Sequence, residues 1–180
     1  MTDHFALFGE ARRPWLDPAK LKEKYYRESL VRQPDAAMNE AFRVLSDPKL
    51  RLHHLLTLEG ADLSAGRPVP PAVAELFWSS GTLLREVDRW LLRYAEASGA
   101  LGRSLLKSEQ VKLEKSLEKL DEQLRGAYGA QLEQLRGADA VWNSRLPNDL
   151  ADLTQLYDSI SYLTRLLERA GEKGFQLSAA

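Results

Sequence analysis

Apolar residues recur at intervals of three and four along most of the chain, which is the pattern of amphipathic α-helices. The pair Asp17-Pro18 predicts the start of one such helix, because aspartate caps a helix and proline suits its first position. We expect this helix to extend to about Arg32. The first part of the chain is therefore predicted to be helical.

Shorter helices are expected next along the chain. One should begin at Asp35 or Ala36 and end at Leu45. The segment Ser46-Asp47-Pro48 ends that helix and starts another, which Gly60 should stop. The N-terminal third is therefore predicted to hold several short helices.

A proline-rich stretch separates these short helices from three long amphipathic segments. Residues 66–71, Gly-Arg-Pro-Val-Pro-Pro, forbid helix and indicate a domain boundary. Helices are expected beyond it at about 72–97, 104–135 and 149–170. The middle one carries leucines at heptad spacing, namely Leu113, Leu117, Leu120 and Leu124.

The chain is predicted to be all-α, because no segment alternates apolar and polar residues with the period of a strand. We expect an N-terminal helical hairpin domain at 1–64 and a proline-rich linker at 65–71. A C-terminal antiparallel three-helix bundle is expected at 72–175.

Composition narrows the classes of partner. The net charge of −1 gives no general reason to expect nucleic-acid binding, which needs an excess of Lys and Arg. No stretch approaches the ~18 consecutive apolar residues of a membrane span, and the N-terminus lacks a signal-peptide pattern. The chain contains no cysteine, which excludes disulfides and thiolate metal sites. We expect a cytoplasmic protein without nucleic-acid or membrane partners.

Catalytic motifs are missing from the sequence. There is no Gly-x-Ser-x-Gly motif and no glycine-rich phosphate loop. His53 and His54 are helical neighbours that diverge by about 100°, so both cannot bind one metal ion. One is expected at the surface and the other partly buried. We predict a protein that is not an enzyme, with no catalytic residues, metal site or cofactor.

Three aromatic residues suggest an interaction surface. Trp78 lies almost opposite the apolar stripe of its helix, at ~100° per residue, and Phe77 lies at the edge of that stripe. Tyr162 is expected opposite the apolar stripe of the last helix. Clusters of outward aromatic side chains mark binding surfaces more often than scattered ones do. Alternatively, Trp78 packs against the N-terminal domain.

Several segments carry a resemblance to a known family. DHFALFG (3–9), WLDPAKLKEKYYRESLVRQPD (15–35) and MNEAFRVLSDP (38–48) resemble a J-domain. With DPKLRLHHLLTLEGADL (47–63) and the helical C-terminal part, nearly the whole chain resembles the iron–sulfur co-chaperone family HscB. The resemblance implies a J-domain that engages a DnaK-type heat-shock chaperone. It also implies a C-terminal domain that binds an iron–sulfur scaffold protein as client.

The resemblance implies roles for particular residues. The chaperone-binding residues would be Gln33, Pro34, Asp35, Lys20, Lys24 and Arg27. The client-binding residues would be Phe77, Trp78 and Tyr162. The alternative is structural: the basic residues form a solvated helix face, and the proline and aspartate form a turn and a helix cap.

The chain departs from the J-domain pattern at its key tripeptide. Gln33 stands where that family has histidine, and glutamine cannot become a cation. Only four residues, Ala36 to Asn39, separate Asp35 from Glu40-Ala41-Phe42, so the hairpin is shorter at its tip. We therefore expect stimulation of the chaperone's ATPase to be weakened or lost.

A second hypothesis is a helical interaction or oligomerisation module that keeps a vestigial J-like fold and has no chaperone partner. The heptad leucines can form a dimer seam as well as an intramolecular bundle. Both a monomer and a homodimer therefore remain open.

Overall fold

The computed structural model describes residues 2–31, 35–63, 68–97, 99–142 and 147–180. Every regular element in these ranges is an α-helix, which confirms the all-α prediction. The helices are α1 (His4–Phe8), α2 (Pro18–Val31), α3 (Ala36–Ser46), α4 (Pro48–Leu58), α5 (Pro71–Glu96), α6 (Gly99–Val141) and α7 (Pro147–Ser178). Within the described part of the chain, no helix is long and apolar enough to cross a membrane.

Aspartate side chains start the four short helices. Asp17 accepts a hydrogen bond from the Ala19 backbone N–H of α2 at 2.9 Å. Asp35 caps α3 through the Met38 N–H at 2.9 Å. The equivalent contacts in α1 and α4 are made by Asp3 and Asp47. These caps satisfy backbone donors that the first turn of a helix leaves unpaired, so the predicted helix starts are confirmed.

The last two helices are longer than the sequence pattern predicts. α6 was expected to begin near Ser104 but begins at Gly99 and includes Gly102 in its first turn, and α7 continues past Gly171 to Ser178. A glycine inside a helix costs only about 0.5–1 kcal/mol relative to alanine. Helical packing on either side of these glycines outweighs that cost, so the glycines do not end the helices.

Contacts divide the chain into two compact units. The first contains Met1–Pro68 and Gln131–Ile160, and the second contains Val69–Ala130 and Ser161–Ala180. The division falls inside α6 and inside α7, each of which contributes to both units. The domain boundaries expected from the sequence stay a prediction.

In the first unit, α1 and α2 pack aromatic side chains against α3. The rings of Tyr25 and Phe42 are stacked with centroids 4.2 Å apart. The centroid of the Phe8 ring lies 6.2 Å from that of Phe42. The Tyr25 hydroxyl also donates to Asn39 Oδ1 at 2.6 Å. Fully buried leucines come from α3 and α4, namely Leu45, Leu52, Leu55 and Leu56.

Asp139 near the end of α6 joins the loop between α1 and α2. Its carboxylate pairs with the Arg13 guanidinium and accepts the backbone N–H of Trp15 at 3.0 Å. The indole of Trp142 donates to the Arg12 carbonyl at 3.2 Å. The carboxylate is almost fully buried, so its charge needs these partners to offset lost hydration.

In the second unit, two apolar clusters contain side chains from α5, α6 and α7. The first apolar cluster is Val73, Leu120, Leu124, Leu163, Leu166 and Ala170. The second apolar cluster is Leu84, Val87, Trp90, Leu113, Leu117 and Leu177. From the first cluster to the second, residue numbers rise in α5 and α7 and fall in α6. Within this unit, α6 therefore runs antiparallel to the other two helices.

The heptad leucines of α6 are all buried inside this unit. Leu117→Lys should therefore lower the free energy of unfolding by about 3 kcal/mol or more, because it places a charge in an apolar cluster. Urea unfolding measures this change, with Leu105→Lys as the control, since Leu105 is 75% exposed on the same helix. The control should stay within about 0.5 kcal/mol of the native chain.

Light scattering on the same samples tests the dimer-seam alternative. If Leu117→Lys leaves the fold intact and converts a dimer into a monomer, the leucine joins two chains and the intramolecular assignment is wrong.

His54 of α4 holds the start of α1 through a neutral imidazole. Its Nε2 accepts the backbone N–H of His4 at 3.0 Å, and its ring stacks on Phe5 with centroids 5.7 Å apart. Burial lowers the pKa of His54, and the nearby charges of His4 and Arg12 lower it further, while Asp3 opposes them. As expected from sequence, His54 is buried and its neighbour His53 is exposed.

We expect stability to fall as the pH drops below about 6.5, the ordinary histidine value. The unfolded chain binds a proton at His54 more readily than the folded chain does, so acid favours unfolding. Above that pH the neutral His54 ring contributes in full to the stability of the folded chain. His54→Gln keeps a hydrogen-bond acceptor but has no group that takes up a proton in this pH range. The free energy of unfolding, measured in urea, should therefore fall less between pH 7.5 and pH 5.5 in this variant than in the native chain.

His53→Gln is the matched control and should keep most of the native pH dependence, because His53 is exposed and contributes least among the groups that lower the pKa of His54. The same pH dependence in His54→Gln as in the native chain would contradict the assignment.

Candidate functional site

Lys24, expected on a basic face of α2, is engaged within the first unit. Its Nζ donates to Glu10 Oε1 at 2.7 Å and to the Gly9 carbonyl at 2.9 Å, and lies 5.5 Å from the centre of the Phe8 ring. The side chain is about one-third exposed. Lys24 therefore ties α2 to the end of α1, and its charge is balanced by a carboxylate.

The other two basic residues are exposed on α2. Arg27 pairs with Glu23 one turn earlier, with 2.6 Å between Nη2 and Oε1. Lys20 is exposed and borders a small depression that also includes Trp15 and Leu21. An exposed pair on one helix is weak, because water competes for both charges. Arg27 can therefore exchange its partner more easily than Lys24 can.

The structure describes one residue of the expected tripeptide Gln33-Pro34-Asp35. Gln33 and Pro34 lie outside the described residues. Asp35 is described, and its carboxylate caps α3. This geometry is the structural role that the sequence offered as the alternative to chaperone contact.

An exposed apolar patch at the end of α2 was missed from the sequence. Leu30 is 89% exposed and Val31 is 87% exposed, one turn after the exposed Tyr26. The signal was available, since these positions lie off the face that carries Leu21 and Tyr25. In the sequence, one residue, Arg32, separates the patch from the expected tripeptide.

The three aromatic residues singled out in the sequence meet in the second unit. We name Phe77, Trp78 and Tyr162 the aromatic surface. The Phe77 ring meets Trp78 edge-on at 5.5 Å between centroids, and meets Tyr162 edge-on at 6.1 Å. Trp78 is 72% exposed, while the other two rings are half-buried. Residues far apart in sequence thus form one continuous aromatic group.

Tyr162 is less exposed than its helical position predicts. It packs against the first apolar cluster rather than pointing into solvent. The reason is the length of the side chain: a tyrosine ring reaches past its own Cα and covers apolar neighbours, leaving its polar tip near water. Phe77 also lies at the edge of buried residues, as expected, and Trp78 lies on the outside.

Two arginines beside the aromatic surface were not identified from the sequence. The Arg165 guanidinium lies 4.6 Å from the centre of the Tyr162 ring, a cation–π distance. Arg165 and Arg169 both line a shallow groove with Phe77 and Tyr162. Helical spacing alone signals this arrangement, because residues three and seven positions after Tyr162 share its side of α7.

Comparison with models of known protein families and with curated proteins gives no match to this chain.

Within the aromatic surface, the exposed Trp78 and the packed Tyr162 should contribute differently to the stability of the fold. Trp78→Ala should change the free energy of unfolding by less than about 0.5 kcal/mol, because most of the indole already contacts water. Tyr162→Ala should cost clearly more, about 1–3 kcal/mol, because its ring covers the first apolar cluster. Urea unfolding of both variants tests this. A Trp78→Ala loss as large as that of Tyr162→Ala would mean that the indole is buried in solution.

Proposed function

We propose that this protein is a co-chaperone-like adaptor resembling HscB, which links a DnaK-type chaperone to an iron–sulfur scaffold protein. In this proposal the first unit corresponds to a J-domain with its adjoining segment, and α5, α6 and α7 of the second unit correspond to a three-helix bundle. ATPase stimulation is weakened or lost. The chemistry of ATP hydrolysis belongs to the chaperone, and this chain supplies binding surfaces alone.

The aromatic surface is the observation that carries the proposal. A tryptophan that is 72% exposed is held in place by a neighbouring ring, which in turn packs on a half-buried tyrosine. Holding the rings before binding reduces the side-chain entropy lost on association. Aromatic anchors of this kind dominate the energy of many protein–protein interfaces. These features support binding of a client protein through Phe77, Trp78 and Tyr162.

The chaperone-facing side is supported less strongly. Lys20 and Arg27 are exposed and can meet an acidic surface, whereas Lys24 is paired with Glu10. Engagement of Lys24 reduces the positive charge that α2 presents. Together with Gln33 in place of histidine, this favours weak stimulation of the chaperone.

The second candidate is a protein-interaction module without a chaperone partner. The contacts of Lys24 and the capping role of Asp35 favour it, because both residues serve the fold itself. An oligomer built on the heptad leucines loses support, since these side chains are buried within the second unit. This candidate keeps the aromatic surface and differs only in the absence of chaperone contact.

One experiment with two measurements tests the proposal on the full chain. Binding to the iron–sulfur scaffold protein of the source organism is measured by calorimetry for the native chain, Trp78→Ala and the control Leu101→Ala. Trp78→Ala should weaken binding by about 30-fold, the effect of losing an aromatic anchor worth about 2 kcal/mol. The control should bind as the native chain does, because Leu101 is 77% exposed on α6 and lies away from the aromatic surface in sequence.

The second measurement is single-turnover ATP hydrolysis by the DnaK-type chaperone of the same organism. The native chain should stimulate weakly, and Gln33→His should stimulate more strongly. Strong stimulation by the native chain contradicts the weakened activity. Absence of stimulation by both proteins, with scaffold binding intact, favours the second candidate. Absence of scaffold binding makes the client assignment wrong.

A further inference from the structure

The groove beside the aromatic surface combines apolar area with positive charge. Its lining residues all belong to α5 or α7, and are Phe77, Tyr162, Arg165, Leu166, Glu168 and Arg169. Trp78 extends the apolar area next to Phe77. A ligand that fits here must therefore offer both an apolar group and a group that interacts with guanidinium.

Arg165 is held in position before any partner binds. Its guanidinium stacks over the Tyr162 ring at 4.6 Å, and its Nε donates to the Ser161 carbonyl at 3.3 Å. These two contacts restrict the positions that the guanidinium can take. An arginine held this way loses less entropy when it forms a paired contact with a carboxylate.

The positive charge of the groove comes from Arg165 and Arg169. Among the residues that the structure describes, no carboxylate forms an ion pair with Arg165 or Arg169. Ion pairs elsewhere in the same unit engage Arg93 with Glu109 and Lys173 with Asp88. The two arginines of the groove therefore differ from Arg93 and Lys173, whose charges are already engaged by carboxylates.

A third arginine extends the charge along α5. Arg85 follows Trp78 by seven residues, so both lie on nearly the same face of the helix. Its Nη2 donates to the Thr82 hydroxyl at 3.3 Å, and in the described part of the chain it too has no ion pair with a carboxylate. Glu168 is the acidic residue in the groove lining, and the arginines outnumber it.

We propose that the aromatic surface and its arginines bind a segment of a partner protein in which carboxylates flank an apolar side chain. The apolar side chain packs on Trp78 and Phe77, and the carboxylates pair with Arg165 and Arg169. This inference rests on the proposed function, in which the aromatic surface binds a protein, and it names the chemistry of the bound segment. Exposed aromatic area and Glu168 both disfavour a polyphosphate, which offers charge without an apolar group.

The test selects ligands without assuming a particular partner. The full native chain is immobilised and used to select short random peptides displayed on phage, and the enriched peptides are synthesised. Peptides that lose binding to Trp78→Ala are kept, because they occupy the aromatic surface. We expect these peptides to be enriched in Asp and Glu next to a large apolar residue.

Charge-reversal variants then test the role of each arginine. Arg165→Glu and Arg169→Glu should each weaken binding of the kept peptides by roughly twofold to fivefold, the upper part of the range for an exposed ion pair. Raising the salt concentration should also weaken binding of these peptides to the native chain, because salt screens exposed charges. Arg103→Glu is the matched control, since Arg103 also stacks on a tyrosine, at 5.4 Å from the Tyr94 ring centre, and should leave binding unchanged.

The outcomes separate this inference from the proposed function. Kept peptides without acidic enrichment, or with equal affinity for native chain and Arg165→Glu, overturn the inference while binding at the aromatic surface stands. Selection of no peptide that depends on Trp78 overturns both. Urea unfolding of each variant checks the fold, and Arg165→Gln, which removes charge without reversing it, should show the same direction of effect.

Discussion

Packing of α5 against α7 in the first apolar cluster is the constraint on which the candidate site depends. Val73 of α5 is buried together with Leu163 and Leu166 of α7, and their contact sets how far one helix is shifted along the other. Burial of apolar area, worth roughly 25 cal/mol per Å², holds that position. One turn beyond Val73, Phe77 then meets Tyr162. A sliding of either helix by one turn would separate the two rings.

The same packing explains why the aromatic surface is anchored to the core at Tyr162 and exposed at Trp78. Tyr162 packs against the first apolar cluster, and the half-buried ring of Phe77 meets the Tyr162 ring edge-on. Trp78 is exposed and leans on the Phe77 ring. Apolar rings at the centre with arginines around them match the general anatomy of protein interfaces, where aromatic and arginine side chains are enriched.

Polar residues in the first unit serve mainly to hold its helices together. Lys24 neutralises Glu10 and binds a carbonyl at the end of α1, while Asp139 offsets its own burial by pairing with Arg13. Asp35 satisfies the first turn of α3. The sequence suggested that Lys24 and Asp35 contact a partner protein. Their contacts within the unit leave less of their charge available for binding a partner.

Helices and their buried faces were predictable because both depend on local sequence. Capping by Asp17, Asp35 and Asp47 acts over a few residues, and helical geometry correctly predicted that His53 and His54 differ in burial. The extent of the long helices was not predictable, because packing overcomes the small local cost of glycines such as Gly171.

The candidate site was likewise predictable where it depends on local sequence and not where it depends on long-range contacts. Helical angles alone placed Trp78 on an outer face, as the structure has it. The meeting of Phe77 with Tyr162 and the stacking of Arg165 depend on contacts between helices far apart in the chain, so only the tertiary structure decided them. The partners of Lys24 and Asp139 belong with these long-range contacts, because no local rule specifies which distant group a charged side chain will reach.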